Sequence, residues 1–166
     1  SEDLIYSTDR YVDLILLSDD LPDKFIGAPV FALDKSIMGL AFGKTLIRPS
    51  YQFSNVVPLV LENKKIIRPY LGINYLSLPE IIGLSDSRFK DFNYGAIVLN
   101  QPLKTSPAAQ AALKAEDLII KVDGLPVGNQ YRLVDLIQDR RVGDSLELIF
   151  IRDGKEKSIK VILEGR

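Results

Sequence analysis

Apolar positions along the chain fall into short blocks parted by turn residues. The first blocks, "LIYS" and "YVDLILLS", are too brief for helices and predict strands. After the turn-rich "DDLPDKFIGAP", the run "VFALDKSIMGLAFG" predicts two strands joined by a hairpin at Asp34, Lys35 and Ser36. The stretch "SNVVPLVLENKK" predicts a short helix capped by Ser54 or Asn55, with Pro58 held in its first turn. A charged segment ending in Pro69, "ENKKIIRP", marks a boundary between residues 1–64 and 65–166.

Beyond that boundary the pattern is sharper. "YLGINYLSL" predicts a strand, and "SLPEIIGL" a short helix with Ser77 as cap, Pro79 in its first turn and Gly83 near its end. "GAIVLNQP" reads as a buried strand, and "SPAAQAALK" as a helical turn that begins at Ser106 with Pro107 in first position. "DLIIKVDGLPV" is a strand entering an Asp-Gly turn. "NQYRLVDLIQDRRVGD" is an amphipathic helix with Leu133, Leu136 and Ile137 on one face, ended by Gly143. "SLELIFIRDGKEKSIKVILE" is a hairpin about Asp153-Gly154, the clearest short-range hairpin signal in the chain.

Composition narrows the chemistry. With 166 residues, 46% apolar and 26% charged, the chain has the balance of an ordinary globular protein of one medium domain or two small ones. Its net charge of −1 gives no field to gather nucleic acid or anionic lipid. The longest apolar runs, such as "LILL" and "LIFI", are far too short to span a bilayer, so this chain is expected to make no direct membrane insertion. The sequence has neither Cys nor His. Thiol catalysis, imidazole metal sites and a Ser–His mechanism are therefore closed to it. Asp19, Asp20 and Asp23 lack the Gly and distal Glu of a calcium loop, so no metal site is assigned, and no cofactor is implied.

From Pro69 to Glu164 the chain resembles a PDZ domain of the HtrA/DegP type. The resemblance rests on "RPYLGI", on "GAIVLNQPLKTSPAAQAALKAEDLIIKVDGLPV", and on the helix and "RDGK" hairpin that follow. The preceding "GAPVFALDKSIMGLAFG" and "VVPLVLENKKIIRPYLGI" are similar, in order and spacing, to the junction at which a trypsin-like domain of that family runs into its PDZ domain. The implied fold is mainly β with α+β: the C-terminal part of a trypsin-like β-barrel, residues 1–64, then a PDZ domain, residues 65–166.

The family's nucleophile turn reads Gly-Asn-Ser-Gly-Gly-Pro. Aligned on Pro29, this chain has Lys24-Phe25-Ile26-Gly27-Ala28-Pro29. Ile26 carries no nucleophilic atom, which excludes an acyl-enzyme there. The turn at Gly27 and Ala28 is degenerate, because Ala28 adds a Cβ that narrows the backbone freedom on which the family's oxyanion hole depends. The other reading of the stretch is an ordinary loop with Ile26 packed inside. Neither reading leaves a catalytic residue.

The resemblance also implies a peptide site. Tyr70, Leu71, Gly72 and Ile73 would form a nest of backbone N–H groups for a chain-terminal carboxylate. Ile73, Asn74 and Tyr75 would offer an open strand edge for an antiparallel ligand. Leu71, Ile73, Leu133 and Ile137 would wall the pocket for its last side chain, although Leu133 and Ile137 also fit plain core positions. Arg68 would steer the carboxylate, or would simply be solvated.

The expected function is a peptide-binding PDZ module of an HtrA-like pseudoprotease, with peptides or protein C-termini as partners and an extracytoplasmic location by family analogy. The alternative is a fragment of an active HtrA-like serine endopeptidase of protein quality control, for which Ser50 and Ser54 are hydroxyls without an elbow motif. A third reading makes the incomplete barrel a surface for homo-oligomer formation.

Overall fold

Two Asp-Gly pairs shape the larger sheet. Asp123 and Gly124 take φ of 48° and 80°, and Asp153 and Gly154 take 53° and 69°. Positive φ at both central residues is the signature of the tight hairpin turn whose twist matches that of its strands. The computed structural model describes residues 5–8, 13–54, 56–63, 65–81, 89 and 92–166. The chain divides into two compact units, Tyr11–Ile66, and Ile67–Arg166 together with Ser1–Arg10.

In the smaller unit β2 (Ile15–Leu16), β3 (Pro29–Phe31), β4 (Ile37–Ala41) and β5 (Leu46–Pro49) form an open antiparallel sheet in the order β2-β5-β4-β3. The β3–β4 hairpin turns where expected. The Asp34 carboxylate accepts hydrogen bonds from the Ser36 hydroxyl at 2.6 Å and the Ser36 amide at 2.9 Å. Those bonds hold its pKa below the ordinary value of 3.8. Helix α1 (Tyr51–Ser54) begins before the expected cap, and α2 (Val56–Asn63) follows, with Pro58 in its first turn. Ser54 is therefore a helical residue, and Asn55 lies outside the described residues. The early start has a tertiary cause, because the Tyr51 hydroxyl donates to the Asp13 carboxylate at 2.9 Å and the Gln52 amide donates to the Asp13 carbonyl.

The larger unit takes its first strand from the other end of the sequence. Strand β1 (Ile5–Ser7) pairs with β7 (Asn74–Ser77), which pairs in turn with β8 (Ala96–Val98). The sheet continues through β9 (Leu118–Val122), which also carries β10 (Leu125–Pro126), to β11 (Ser145–Arg152) and β12 (Lys155–Ile162). A separate pair joins β6 (Pro69–Tyr70) to β13 (Glu164–Gly165). Between strands lie α3 (Pro107–Gln110) and α4 (Leu133–Gln138). As the sequence predicts, Ser106 caps α3 by accepting the Ala109 amide at 3.2 Å, with Pro107 in first position.

The larger of two apolar clusters unites Tyr75, Val98, Ile119, Leu133, Ile137, Leu148 and Phe150, and a second gathers Leu78, Phe89, Ile97, Leu118 and Ile120. Asp117, with 1% of its side chain exposed, is held by a two-pronged ion pair to Arg152, both contacts at 2.6 Å. That pair also raises the pKa of the Arg152 guanidinium.

Three expectations are corrected. The strand read over "YLGINYLSL" is broken at Leu71–Gly72–Ile73, because Gly72 takes φ +84° and turns the chain between β6 and β7. The helix read over "SLPEIIGL" is a single 3₁₀ turn at Leu78–Glu80 without a side-chain bond from Ser77, and Ile81 returns to extended backbone. Gly83 lies outside the described residues. Helix α4 stops at Gln138, well before Gly143, which instead shapes the loop into β11 and donates to the Leu163 carbonyl at 2.8 Å.

Candidate peptide-binding groove

The loop expected to form the nest is fixed at both ends. Arg68 and Arg166 exchange backbone hydrogen bonds at 2.9 and 3.0 Å, which anchors the entry to β6. The Leu71 carbonyl accepts the Ala108 amide at 3.1 Å. Between them a Cβ on Gly72 would lie 2.6 Å from Ser106 Cβ and 2.8 Å from the Tyr70 ring. Only glycine fits there, on steric grounds as well as on φ. The Tyr70 ring itself packs under the Arg166 guanidinium, 5.1 Å from its centroid. A cavity of about 330 Å³ opens beside this loop, with Gly72, Asn74, Gln101 and Arg166 in its lining.

Strand β7 and helix α4 are tied together next to it. The Tyr75 hydroxyl accepts the Val134 amide at 3.3 Å, so one of the unpaired N–H groups of the first turn of α4 is satisfied by a side chain from the strand. Burial of that phenol pushes its pKa well above the ordinary 10.0. Leu71, Ile73, Leu133 and Ile137 all belong to the buried core with Tyr75, each 3% exposed or less, and of the four expected pocket walls only Ile73 lines the cavity. Asn74 is exposed.

The edge of β7 is not open in this structure, which corrects the expectation for Ile73, Asn74 and Tyr75. Strand β1 lies along it antiparallel, with Ile5 opposite Leu76, Tyr6 opposite Tyr75 and Ser7 opposite Asn74. Thr8 extends the pairing by donating its amide to the Ile73 carbonyl at 3.2 Å. Two residues in this arrangement escaped the sequence reading. Gln138, 6% exposed, donates its side-chain amide to the Thr8 carbonyl at 2.8 Å and to the Pro69 carbonyl at 3.0 Å. Thr8 itself is fully buried. The available signal was a polar residue closing the apolar stripe of α4, which periodicity alone assigns to solvent.

The degenerate turn of the smaller unit has a definite geometry. A 3₁₀ turn at Asp23–Phe25 leads into Ile26, which is extended and 48% exposed, so it is not packed inside as an ordinary loop reading expects. Gly27 takes φ +89°. The three amides around it are already bonded to the chain's own carbonyls. Ile26 donates to Asp23 at 3.1 Å, Gly27 to Ala41 at 2.7 Å and Ala28 to Phe25 at 2.9 Å. An oxyanion would find none of those three donors vacant.

A strand entered through a glycine loop, flanked by a short helix and paired along its outer side with a segment distant in the chain, is an arrangement compatible with binding by strand addition. Residues 69–163 match the PDZ domain family, and the chain belongs to that family. It is also 29% identical over 159 residues to the "Serine protease Do-like HtrA" of Bacillus subtilis, covering 84% of this chain and 34% of that protein. A second relative, the "Probable periplasmic serine endoprotease DegP-like" of Marinomonas sp., is 27% identical over 169 residues, covering 96% of this chain and 35% of its own length.

Among solved structures, the HtrA-type protease AlgW with tripeptide superposes with a TM-score of 0.72 at 17% identity, over 94% of this chain and 54% of that one. The same protease with decapeptide gives a TM-score of 0.59 at 21% identity, over 85% and 42%. The chain spans about a third of the length of the curated relatives it matches. Its fold is mainly β with few helices and matches the C-terminal part of an HtrA-type protease together with its PDZ domain. Among the described residues no helix is long and apolar enough to cross a membrane.

Proposed function

We propose that this chain is the peptide-capturing part of an HtrA-like protein, residues 65–166 forming its PDZ domain and residues 1–64 deriving from a protease domain that has lost its nucleophile. One observation carries the reading. The outer edge of β7, beside α4, accepts an extended antiparallel strand with backbone hydrogen bonds. Main-chain pairing supplies affinity in such sites, and side-chain pockets supply selectivity. In this reading Tyr70, Leu71, Gly72 and Ile73 shape the end of the groove, Asn74 and Tyr75 pair with the ligand, and Leu133 and Ile137 support its apolar floor.

The pseudoprotease half of the proposal is supported by two facts. Ile26 stands where the nucleophile is expected, and the surrounding amides are already engaged. Capture of extended or C-terminal peptides outside the cytoplasm, in protein quality control, agrees with the periplasmic relative named above. Exposed Phe31, Leu33 and Phe42 on the smaller unit agree with self-association of the whole protein.

Fluorescence anisotropy with a library of free-carboxylate peptides tests the binding reading. Apolar-ended peptides are expected to bind with roughly micromolar affinity, as one added strand buries little area. Absence of binding by every apolar-ended peptide would overturn it. Equal binding of amidated ends would remove the carboxylate nest but leave strand addition.

A further inference from the structure

The strand that fills the groove is placed as a ligand would be. It runs toward the Gly72 loop, antiparallel to β7, and Thr8 sits at the loop end opposite Ile73. Both polar atoms of the Ile73 backbone are engaged. Its carbonyl accepts the Thr8 amide at 3.2 Å and the Thr8 hydroxyl at 3.4 Å, and its amide approaches the same hydroxyl oxygen at 3.5 Å. The Thr8 carbonyl is then taken by the buried Gln138 amide at 2.8 Å. That acceptor is a peptide carbonyl, since Asp9 follows in the chain, and its donor is a neutral amide rather than a cation. The groove therefore holds the middle of a polypeptide.

We propose that residues 5–8, "IYST", are a tethered internal ligand of this groove, and that outside peptides bind by displacing them. The inference rests on the peptide-binding reading above. Tethering gives the segment an effective concentration on the order of millimolar, against which a micromolar outside peptide must compete. A groove filled nine-tenths of the time lowers apparent affinity about tenfold. The strand is also short, with three paired residues in β1, which suits local detachment without unfolding of the rest.

The cysteine-free sequence makes a direct test available. Ser7 and Asn74 face each other, and the Asn74 carbonyl is turned toward the β8 side, where it accepts the Leu99 amide at 2.9 Å. They thus form a non-hydrogen-bonded pair, for which Cα atoms lie about 4.5 Å apart. That separation permits a disulfide. In the full chain carrying Ser7→Cys and Asn74→Cys, mild oxidation is expected to give an intramolecular 7–74 disulfide, detected by mass spectrometry. The oxidised form is expected to bind an apolar-ended peptide at least about tenfold more weakly than the same protein reduced. In a second variant, Thr8→Pro removes the amide and hydroxyl that hold the segment, and several-fold tighter peptide binding is expected.

Failure of the disulfide to form, with peptide capture by the unmodified chain intact, would sink this inference alone. A disulfide that leaves peptide affinity unchanged, or a Thr8→Pro chain no tighter than its parent, would also overturn it. A chain that crosslinks but binds no peptide in any form would instead remove the peptide-binding reading, and the competition with it.

Discussion

The two units are built from similar strand sequences and differ in what covers them. Among the described residues of the smaller unit, the buried apolar side chains are Ala41, Ile47 and Pro49, while Leu16, Phe31 and Leu33 are 74%, 58% and 106% exposed. In the larger unit the sheet, α3 and α4 enclose a continuous core around Phe150, Leu148 and Ile119. Among the described residues, helices cover the sheet of the larger unit over a buried core, whereas the sheet of the smaller unit leaves most of its large apolar side chains in water. The comparison shows that an apolar strand becomes a stabilising element only when another surface excludes water from it.

The sharpest way to break the contrast is to truncate one large side chain in each unit. Phe150→Ala is expected to cost about 3–5 kcal/mol in urea denaturation, from lost transfer energy plus the cavity left behind. Phe31→Ala is expected to stay within about 0.5 kcal/mol, because that ring already faces water. Similar losses in the two variants would mean that the smaller unit has a core after all.

A smaller difference is expected between ion pairs. Asp117→Asn removes the carboxylate charge facing the Arg152 guanidinium, which keeps only neutral acceptors such as the Ala112 carbonyl, and should cost about 3 kcal/mol. The Asp23–Lys44 pair of the smaller unit spans 3.5 Å with both side chains well exposed. Asp23→Asn should therefore change stability by no more than about 0.5 kcal/mol. Equal losses at the two sites, read from the same melts, would contradict the burial difference.

The smallest effect sharpens the join between β7 and α4. Tyr75→Phe strands the Val134 amide and is expected to cost about 1 kcal/mol at neutral pH. The folded chain also holds the Tyr75 proton more tightly than the unfolded chain does. Above pH 10 the native state therefore binds more protons, and stability falls as pH rises. The alkaline limb of a stability–pH curve should be shallower in Tyr75→Phe than in the parent. Parallel limbs would place the hydroxyl outside the core.

Much of the larger unit was legible because its signals are local. Both Asp-Gly turns, the Ser106-Pro107 helix start and the β11–β12 hairpin depend on residues within a few positions of one another. The elements that misled are those in which tertiary contact overrode the local pattern. Helix α1 starts early because Tyr51 and Gln52 reach back to Asp13. The helix expected after Ser77 stays a single turn, anchored to the neighbouring strand by the Leu78 amide on the Gly95 carbonyl at 2.9 Å, and Ile81 returns to extended backbone. Nothing local marks Gln138 as buried, because its partners, Thr8 and Pro69, lie 130 and 69 positions away.

The sequence by itself determined that Ile26 cannot attack a carbonyl, that no imidazole is at hand in this chain, and that a glycine loop precedes the strand of the groove. Those conclusions follow from which atoms the side chains contain. Only the tertiary structure decided what lies along that strand. Pairing of residues 5–8 with β7 joins segments some seventy positions apart, and no periodicity within either segment encodes its partner. Side-chain chemistry is fixed residue by residue, whereas strand partnership is settled by competition among all the edges a chain can offer.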